Sequence, residues 1–387
     1  MYDVVIIGQG LSGMLSAIWS KEQGYRTAVV ASGTGKIIQS TGVFDFIPGS
    51  NGDWKAWKDL YQLNSLKKSQ FSNTLEKFKA LTVKLGYPYR GDVDHPISIV
   101  TGSGHLKSTT LYPETINPIP DHGQVVVVGF QEVVDFQPEY VKANLQKERP
   151  SLTIDTFTIQ LGRQSQRTLT QLDAARLLDQ PELRNHCIKQ IKSYMEEKNI
   201  NMPNLVIFPA SLGVENWKET IIEFSTHLGA AVTEAPGLPP NTTAIRLQNL
   251  LKKEAVKLGV RFYADTTVMG CELEGKVIKS LRIKTSNRVS TLEGYQFILA
   301  TGGILGGGLE VTEAGIKETA LKLGVNEFGE ILRSPDNLYS IGASRGTKVT
   351  RFGITGGIYS IYSSSETIHK LQQSTIGGSR NARIKLA

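Results

Sequence analysis

The sequence predicts an α/β protein in which a domain with a parallel sheet and a β-meander is interrupted by an inserted α/β domain. Three observations predict this arrangement. A β-branched apolar run, Val4–Ile7, leads directly into glycines at G-x-G-x-x-G spacing. A late apolar strand, Gln296–Ala300, ends in Thr-Gly-Gly, and strands alternate with helices between residues 88 and 236. The first two features together are typical of a Rossmann-like FAD/NAD(P)-binding domain.

The chain has 387 residues, too many for one small core, so we expect either two domains or one large interrupted domain. The predicted segments are the first part of the nucleotide-binding domain at 1–87, the insert at 88–236, the return part at 237–373 and a flexible basic tail at 374–387. The net charge of +7 suits small anionic ligands, and no dense Lys/Arg block argues for nucleic acid.

The glycine loop is the predicted phosphate site. Gly8 permits a tight turn, Gly10 allows a ligand phosphate to approach the backbone, and Gly13 lets the following helix pack on the strand. Leu11 and Ser12 lie between these glycines and belong to the same predicted site. The N-terminus of the helix supplies unpaired N–H groups and a positive dipole end, both of which favour an anion.

The second predicted strand, Arg26–Ala31, lacks the acidic residue that normally binds the adenosine ribose. Ala31, Ser32 and Gly33 stand at that place. The missing acid disfavours NAD, removes the usual anchor for the adenosine half of FAD and favours a mononucleotide such as FMN. Ser32 is the candidate cofactor contact at this strand end.

The loop Gln39–Phe46 contains Ser40, Thr41 and Gly42. In flavin enzymes of this general type such a loop lies beside the isoalloxazine ring. Two interpretations stay open here, a cofactor contact or a second turn without a ligand. The next segment, 54–85, has apolar residues at three and four spacing and is predicted as amphipathic helix.

The insert is predicted to carry a sheet of its own, because strand, turn and helix repeat along it. Residues 88–124 are rich in Pro, Gly, Thr and Ser and are predicted as loops and short strands. The predicted strands are Gln124–Phe130, Leu152–Leu161 and Asn204–Pro209, and the predicted helices run to about Lys147, over Leu169–Lys198 and over Glu215–Leu228.

A proline-rich turn, Pro236–Thr242, leads back into the first domain through a helix with Arg246 in its first turn. A cation is unfavourable there with respect to the helix dipole, so Arg246 is either a ligand for a substrate anion or a solvent-facing side chain. The following strands are predicted as Val260–Tyr263 and a meander of Thr267–Leu273, Lys276–Lys284 and Val289–Leu292.

The strand after the meander ends in Thr301, Gly302 and Gly303, where glycine permits the backbone to approach a cofactor. Near the C-terminus a predicted strand over 337–343 enters a turn at Gly342. Gly356 and Gly357 then open a last helix to about residue 371. In such folds this helix N-terminus points at the flavin pyrimidine and stabilises negative charge there.

Oxidation of an alcohol also needs a base and a site for the substrate's charge. None of the six histidines lies in a motif that marks it, and His105 and His122, in the loop-rich entrance to the insert, are the weak candidates. Arg345, Lys348 and Arg351 are either ligands for a phosphate dianion or a solvated basic loop.

The two cysteines, Cys187 and Cys271, are far apart and form no C-x-x-C. We therefore expect a reducing compartment, no disulfide, and no zinc or iron–sulfur site in this chain. No apolar stretch approaches the length of a bilayer, and a strand begins at the second residue, so neither a transmembrane segment nor a signal peptide is expected.

With these motifs in place, the sequence resembles the B subunits of anaerobic glycerol-3-phosphate dehydrogenase over nearly its whole length. The resemblance is carried by VVIIGQGLSGMLS, VVVVGFQEVVDFQPEYVKANL, LVIFPASLGV, PGLPPNTTAIRLQNLLKKEAVKLGV, FILATGGILGGGLE and LYSIGA. The PGLPP…IRLQN and VDFQ blocks are the most specific of these, since many families share the glycine loop.

The resemblance implies a flavoprotein subunit with FMN, and FAD as the alternative. It also implies a second flavin subunit and an iron–sulfur membrane-anchor subunit as partners, which would place the chain in the cytoplasm, peripheral to the inner face of the cell membrane. Such a complex oxidises sn-glycerol 3-phosphate to dihydroxyacetone phosphate and passes electrons to quinone in anaerobic respiration.

Two other hypotheses belong to different classes. The first is a non-catalytic electron-relay or assembly subunit that binds flavin and holds a catalytic sister chain, and the lack of a marked base favours it. The second, a soluble NAD-dependent dehydrogenase, is disfavoured by the missing acid at Ala31 and Ser32 and by the A-T-G-G strand ending.

Overall fold

The computed structural model describes residues 1–46, 54–162, 168–345 and 356–377. The chain divides into two compact units. The first unit holds residues 1–36, 46–81 and 248–387, and the second holds residues 37–45 and 82–247. The predicted insert at 88–236 lies inside the second unit, which also includes the loop at 37–45 and the chain up to residue 247.

Strands form where β-branched and aromatic residues cluster. In chain order they are β1 (Tyr2–Ile7), β2 (Thr27–Val30), β3 (Tyr89–Arg90), β4 (Ile97–Val100), β5 (Leu106–Thr109), β6 (Tyr112–Pro113), β7 (Gly123–Phe130), β8 (Leu152–Ile159), β9 (Leu205–Pro209), β10 (Ala231–Ala235), β11 (Arg261–Tyr263), β12 (Thr267–Glu274), β13 (Val277–Lys284), β14 (Val289–Leu299), β15 (Leu309–Thr312), β16 (Gly315–Glu318), β17 (Gly324–Val325) and β18 (Leu338–Ser340).

The helices are α1 (Leu11–Glu22), α2 (Trp54–Tyr61), α3 (Lys68–Lys84), α4 (Pro138–Glu148), α5 (Gln171–Leu178), α6 (Pro181–Glu197), α7 (Trp217–Leu228), α8 (Thr242–Lys257) and α9 (Gly356–Gly377). The predicted helices over 54–85 and 169–198 are each divided in two. In the second case Pro181 begins α6, because proline suits the first turn of a helix and breaks a helix interior. Helix α9 continues past the predicted end at 371, and residues 378–387 of the predicted tail lie outside the described residues.

The first unit is built around β1, which pairs in parallel with β2 on one side and β14 on the other. Its sheet has the order β11-β2-β1-β14-β13-β12, with β18 also beside β14. Residues 289–293 of β14 pair antiparallel with β13, and residues 297–299 lie between β1 and β18. The predicted parallel sheet with a β-meander is therefore confirmed, and one long strand joins its two parts.

Two strands were predicted over this region, and the structure has the single strand β14 instead. Gly294 lies at the point where the meander passes into the parallel sheet. A Cβ at Gly294 would lie 2.7 Å from Cγ2 of Val5, so only glycine allows the strand to pass this close to β1.

An aromatic cluster joins three helices of the first unit. Trp57 of α2 lies 4.8 Å from Phe71 of α3, and Tyr61 of α2 stacks on Tyr359 of α9 with a ring-centroid distance of 4.1 Å. Large buried rings contribute much of the apolar area in a core, so the cluster fixes α9, whose first turn is part of the predicted site.

The second unit has a parallel four-stranded sheet in the order β10-β9-β7-β8. Val125–Val128 of β7 are fully buried, as expected for a parallel strand covered on both faces. Strand β10 was not predicted, because its sequence, AVTEA, has no continuous apolar run and contains Glu234. That glutamate is nevertheless fully buried.

No helix in the described ranges is both long and apolar enough to cross a membrane. In the same ranges, no group of three or more His, Cys, Asp or Glu side chains is placed to hold a metal ion. Both cysteines are free thiols, and burial raises the pKa of Cys187 to about 12, so this thiol is protonated at neutral pH.

Candidate functional site

The loop between β1 and α1 is fixed by contacts that only glycine permits. Gly8 has a φ of +108°, and a Cβ on it would lie 2.3 Å from the carbonyl oxygen of Ala300. A Cβ on Gly13 would lie 2.1 Å from the carbonyl oxygen of Gly8. These two glycines therefore hold the loop and helix α1 against the end of β14.

Gly10 differs from both, because no atom lies within 4 Å of the position its Cβ would take. It is the N-cap residue of α1, it provides no side-chain cap, and the first turn contains no acidic residue. Within the described ranges no acceptor meets the backbone N–H groups of Leu11, Ser12 and Gly13. Open space, free N–H groups and the positive end of a helix dipole together form a cradle for a phosphate.

Two other predicted glycine segments lie at the same end of β1. A Cβ on Gly342, whose φ is +67°, would lie 2.5 Å from Oγ of Ser12. A Cβ on Gly303 would lie 2.8 Å from the carbonyl oxygen of Ala343. In addition, Oγ of Ser364 in α9 donates to the carbonyl oxygen of Ser12 at 3.0 Å. The structure thus brings the loops after β14 and β18 and the helix α9 together beside α1.

The other predicted cofactor residues lie directly after β14 and at the start of α9. Thr301 and Gly302 directly follow the end of β14, and Gly302 has a φ of +89°. Gly356 and Gly357 form the start of α9 as described, and a Cβ on Gly356 would lie 3.5 Å from Cβ of Ala343. The assignment of these residues to a cofactor stays a prediction.

The end of β2 carries no acid, and another side chain lies near it. Ser32 is exposed, and Nε2 of Gln9 donates to the carbonyl oxygen of Gly33 at 2.6 Å. Nε2 of Gln248, in α8, donates to the carbonyl oxygens of Gln9 at 3.1 Å and Thr34 at 3.0 Å. Gln248 therefore connects the glycine loop with the loop after β2.

Gln248 is only 5% exposed, and its Oε1 has no hydrogen-bond partner among the described residues. A buried acceptor without a donor is unfavourable in a folded protein. No sequence motif predicted Gln248 as a site residue. A signal was present, because Gln248 is a polar residue on the apolar side of α8, next to Leu247 and three residues before Leu251.

Ser40, Thr41 and Gly42 belong to the second unit. Oγ of Ser40 donates to the carbonyl oxygen of Ile37 at 2.7 Å and closes a short 3-10 turn. The carbonyl oxygen of Thr41 accepts from Oγ1 of Thr243 at 2.7 Å, and Gly42 has a φ of +72°. This loop is therefore packed against the first turn of α8, and its contact with a cofactor stays a prediction.

Arg246 is completely buried and forms an ion pair with Glu234 of β10. Its Nη1 donates to Oε2 of Glu234 at 2.5 Å and to the Tyr87 hydroxyl at 3.5 Å. Its Nη2 donates to Oε1 of Glu234 at 2.9 Å, and Nη2 and Nε both donate to the carbonyl oxygen of Gly213, at 2.5 and 2.8 Å. All five N–H donors are used, so the structure contradicts both predicted roles, a substrate ligand and a solvent-facing side chain.

The charge of Arg246 is stabilised by this pair. Burial lowers the pKa of the guanidinium, but the attraction of Glu234 outweighs that effect and raises the pKa above its ordinary value. Burial also raises the pKa of Tyr87 to about 12, so its hydroxyl stays protonated. Arg246 is a structural cation of the second unit.

The other candidate polar residues are dispersed. Nδ1 of His105 lies 2.9 Å from Oε1 of Glu148, and the His105 side chain is 58% exposed. His122 is exposed as well. Arg345 forms an ion pair with Glu330 at 3.0 Å. The predicted residues Lys348 and Arg351 lie outside the described residues.

Comparison with known proteins gives one family match. The family model described as the FAD binding domain matches residues 3–356. The chain is 26% identical over 350 residues to the B subunit of anaerobic glycerol-3-phosphate dehydrogenase from Actinobacillus pleuropneumoniae serotype 5b (strain L20), covering 84% of this chain and 80% of that protein. The corresponding B subunit from Yersinia enterocolitica serotype O:8 / biotype 1B (strain NCTC 13174 / 8081) is 24% identical over 345 residues, covering the same shares of both chains.

Among solved structures, the chain is similar to a 3-ketosteroid delta1-dehydrogenase from Sterolibacterium denitrificans, at 15% identity and a TM-score of 0.35. The match covers 78% of this chain and 48% of that chain, so this chain matches about half of the solved structure. The fold assignment therefore depends on the family match and on the strand order described above.

Glu234→Gln should destabilise the second unit by about 3–5 kcal/mol, because it leaves the Arg246 cation buried without its counter-charge. Asp121→Asn is the matched control, since Asp121 pairs with Arg149 in the same unit at 3.6 Å but its side chain is 87% exposed. That change should cost about 1 kcal/mol or less. Urea denaturation followed by circular dichroism measures both, and equal losses would contradict the structural role of the buried pair.

Gly10→Glu should keep the melting temperature of the flavin-free protein but retain almost no flavin, because the new side chain enters open space and carries negative charge into the phosphate cradle. Gly13→Ala should lose stability and flavin together, because its Cβ would meet the carbonyl oxygen of Gly8. The absorbance ratio of flavin to protein and the melting temperature measure both effects. Normal flavin content in Gly10→Glu would show that the phosphate lies elsewhere.

Proposed function

Because this chain belongs to the family of FAD binding domains, we propose that it is a flavin-dependent oxidoreductase subunit that oxidises sn-glycerol 3-phosphate to dihydroxyacetone phosphate. The observation that carries the flavin part of the proposal is the cradle at Gly10 with the free N–H groups of α1. The substrate part is supported by the two relatives named as B subunits of anaerobic glycerol-3-phosphate dehydrogenase.

In this proposal the chain's residues bind and orient the cofactor. The N–H groups of Leu11, Ser12 and Gly13 hold a phosphate, and the segment from Thr301 to Gly303 offers backbone to the cofactor. Gly356 and Gly357 place the positive end of α9 at the same end of the sheet, where it stabilises negative charge. A bound flavin supplies a two-electron acceptor for the hydride of a secondary alcohol, and the hydroxyl proton passes to a base or to water.

We propose FAD as the cofactor, in place of the FMN favoured by the missing acid. The matched family is described by FAD, and the unpaired Oε1 of Gln248 supports a ribose contact next to the loop after β2. An amide oxygen accepts a hydrogen bond from a ribose hydroxyl as a carboxylate oxygen does, although the amide carries no negative charge. FMN remains the alternative that analysis of the bound chromophore tests.

The proposed partners are a second flavin subunit and an iron–sulfur subunit that passes electrons to quinone, with the assembly on the inner face of the membrane. The relatives support the existence of partner subunits, because each is named as one subunit of a larger enzyme. Of the predicted phosphate ligands, Arg345 already pairs with Glu330, and Lys348 and Arg351 lie outside the described residues.

A non-catalytic flavin-binding relay or assembly subunit is the second candidate function. It is supported by the positions of the two candidate bases. His105 is exposed and hydrogen-bonded to Glu148, and His122 is exposed as well. Neither histidine has the buried, oriented position that general bases usually have.

Chromophore released by acid from the purified full chain should be FAD, identified by chromatography and mass. Gln248→Met should lower FAD content several-fold at unchanged fold, because it removes the buried oxygen and the two bonds that join the loops. The control is Asn249→Met, at the exposed neighbouring position. Release of FMN, or full FAD content in Gln248→Met, would contradict the proposed ribose contact.

The flavin-loaded full chain should reduce an artificial dye with sn-glycerol 3-phosphate and form dihydroxyacetone phosphate in equal amount. Gly10→Glu should abolish this turnover together with flavin binding. Flavin retained without any turnover would favour the relay or assembly subunit over the catalytic one.

A further inference from the structure

The end of the first unit's sheet that holds the glycine loop has almost no charged side chains. The segments that meet there follow the parallel strands β1, β2, β14 and β18 or begin α9, and they are residues 8–13, 31–36, 300–308, 341–344 and 356–365. Lys36 is the single charged residue in these five sequences. Arg345, directly after the fourth segment, is already paired with Glu330. The five segments therefore contain one cation and no acid.

The loop after β2 brings Lys36 to the edge of the phosphate cradle. A Cβ on Gly35, whose φ is +85°, would lie 2.8 Å from Cα of Gly10, so the residue before Lys36 packs directly on the glycine loop. Cγ of Lys36 lies 3.9 Å from the position that a Cβ on Gly306 would take. The Lys36 side chain therefore starts beside the glycine loop and reaches the loop after β14.

The charge of Lys36 is available to a ligand. Lys36 is exposed, and across the described ranges no carboxylate lies within ion-pair distance of its ammonium group. The loop is held by other contacts, because the carbonyl oxygens of Gly33 and Thr34 accept from Gln9 and Gln248. Lys36 is therefore a cation without a counter-charge on a loop whose backbone is fixed independently of it.

A flavin phosphate brings more negative charge than the helix alone compensates. The N-terminus of an α-helix is equivalent to about half a positive charge. Each phosphate group of FAD carries a negative charge, and a phosphate monoester such as that of FMN carries about 1.5–2 at pH 7. A lysine ammonium binds phosphate as a point charge and is suited to supply the difference.

We propose that Lys36 is the counter-ion for the phosphate groups of the bound flavin, and this inference rests on the flavin part of the proposed function. The free N–H groups at the start of α1 orient the phosphate, and the Lys36 ammonium compensates its charge from the edge of the cradle. Lys36 acts on the phosphate end of the cofactor, so it is a binding residue and not a catalytic one.

Lys36→Gln tests this role because it removes the charge and keeps most of the side chain. The flavin-free full chain is titrated with FAD, and the change in flavin fluorescence gives the dissociation constant. At low salt Lys36→Gln should bind FAD about tenfold more weakly than the wild-type chain. Lys36→Arg keeps the charge and should bind FAD nearly as the wild type does. The melting temperature of both flavin-free variants should be unchanged.

The salt dependence of binding separates a lost charge from a distorted loop. Raising the ionic strength from about 0.01 M to 1 M shortens the Debye length from about 30 Å to 3 Å. The wild-type chain should therefore lose FAD affinity as salt is added, and Lys36→Gln should lose much less. At the highest salt the two proteins should bind FAD almost equally. The same salt dependence in both proteins would overturn the role of Lys36.

Lys284→Gln is the matched control. Lys284 is also exposed and belongs to the first unit, but it pairs with Val289, at the opposite end of β14 from the cofactor loops. The change lowers the net charge of the chain by the same amount. Lys284→Gln should bind FAD as the wild-type chain does at every salt concentration.

The outcomes separate this inference from the proposed function. If the wild-type chain and Lys36→Gln bind FAD equally at low salt, Lys36 is not the counter-ion and the proposed flavin binding stands. If FMN binds in place of FAD, the proposed cofactor is overturned, and a tenfold loss of FMN affinity in Lys36→Gln still supports Lys36. If the wild-type chain binds neither flavin, the flavin part of the proposed function fails and this inference fails with it.

Discussion

The parallel pairing of β1 with β14 is the interaction on which the first unit depends. The pairing aligns Val4–Ile7 with residues 296–299. It also places the carbonyl oxygen of Ala300 2.3 Å from the position that a Cβ on Gly8 would take, so only glycine fits there. The glycine loop therefore has its shape because of a strand from the other end of the sequence. The backbone N–H groups of α1 then face open space at Gly10, while the loops after β14 and β18 close around the same end of the sheet.

The second unit depends on a different kind of contact. Its parallel sheet has an apolar core, but Arg246 and Glu234 form a fully buried ion pair within it. Arg246 also donates to the carbonyl oxygen of Gly213. Oε1 of Glu234 also accepts from the N–H of Leu212 at 2.8 Å, so the pair ties β10, the loop after β9 and α8 together. Replacing both members of such a pair by apolar residues is often neutral for stability, whereas removing one member leaves an uncompensated buried charge and is strongly destabilising.

Much of this fold followed from local sequence patterns, and the site only in part. The glycine spacing, the apolar runs and the A-T-G-G ending predicted the sheet with its meander, because each of these patterns depends on residues that are close together in the sequence. The role of Arg246 could not be predicted in this way, since its partner Glu234 lies on β10, a strand with no apolar signal. Gln248 has no motif at all, and only its tertiary contacts with Gln9 and Thr34 reveal it.

The pairing of β1 with β14 has a consequence for the order of events during synthesis. Every segment of the second unit, up to residue 247, leaves the ribosome before β14 (Val289–Leu299) is made. At about 5–20 residues per second, about 15–60 s separate β1 from its partner strand. The inserted unit can therefore fold while β1 still waits for β14, and the glycine loop takes its final shape only after residue 299 of 387 has been translated.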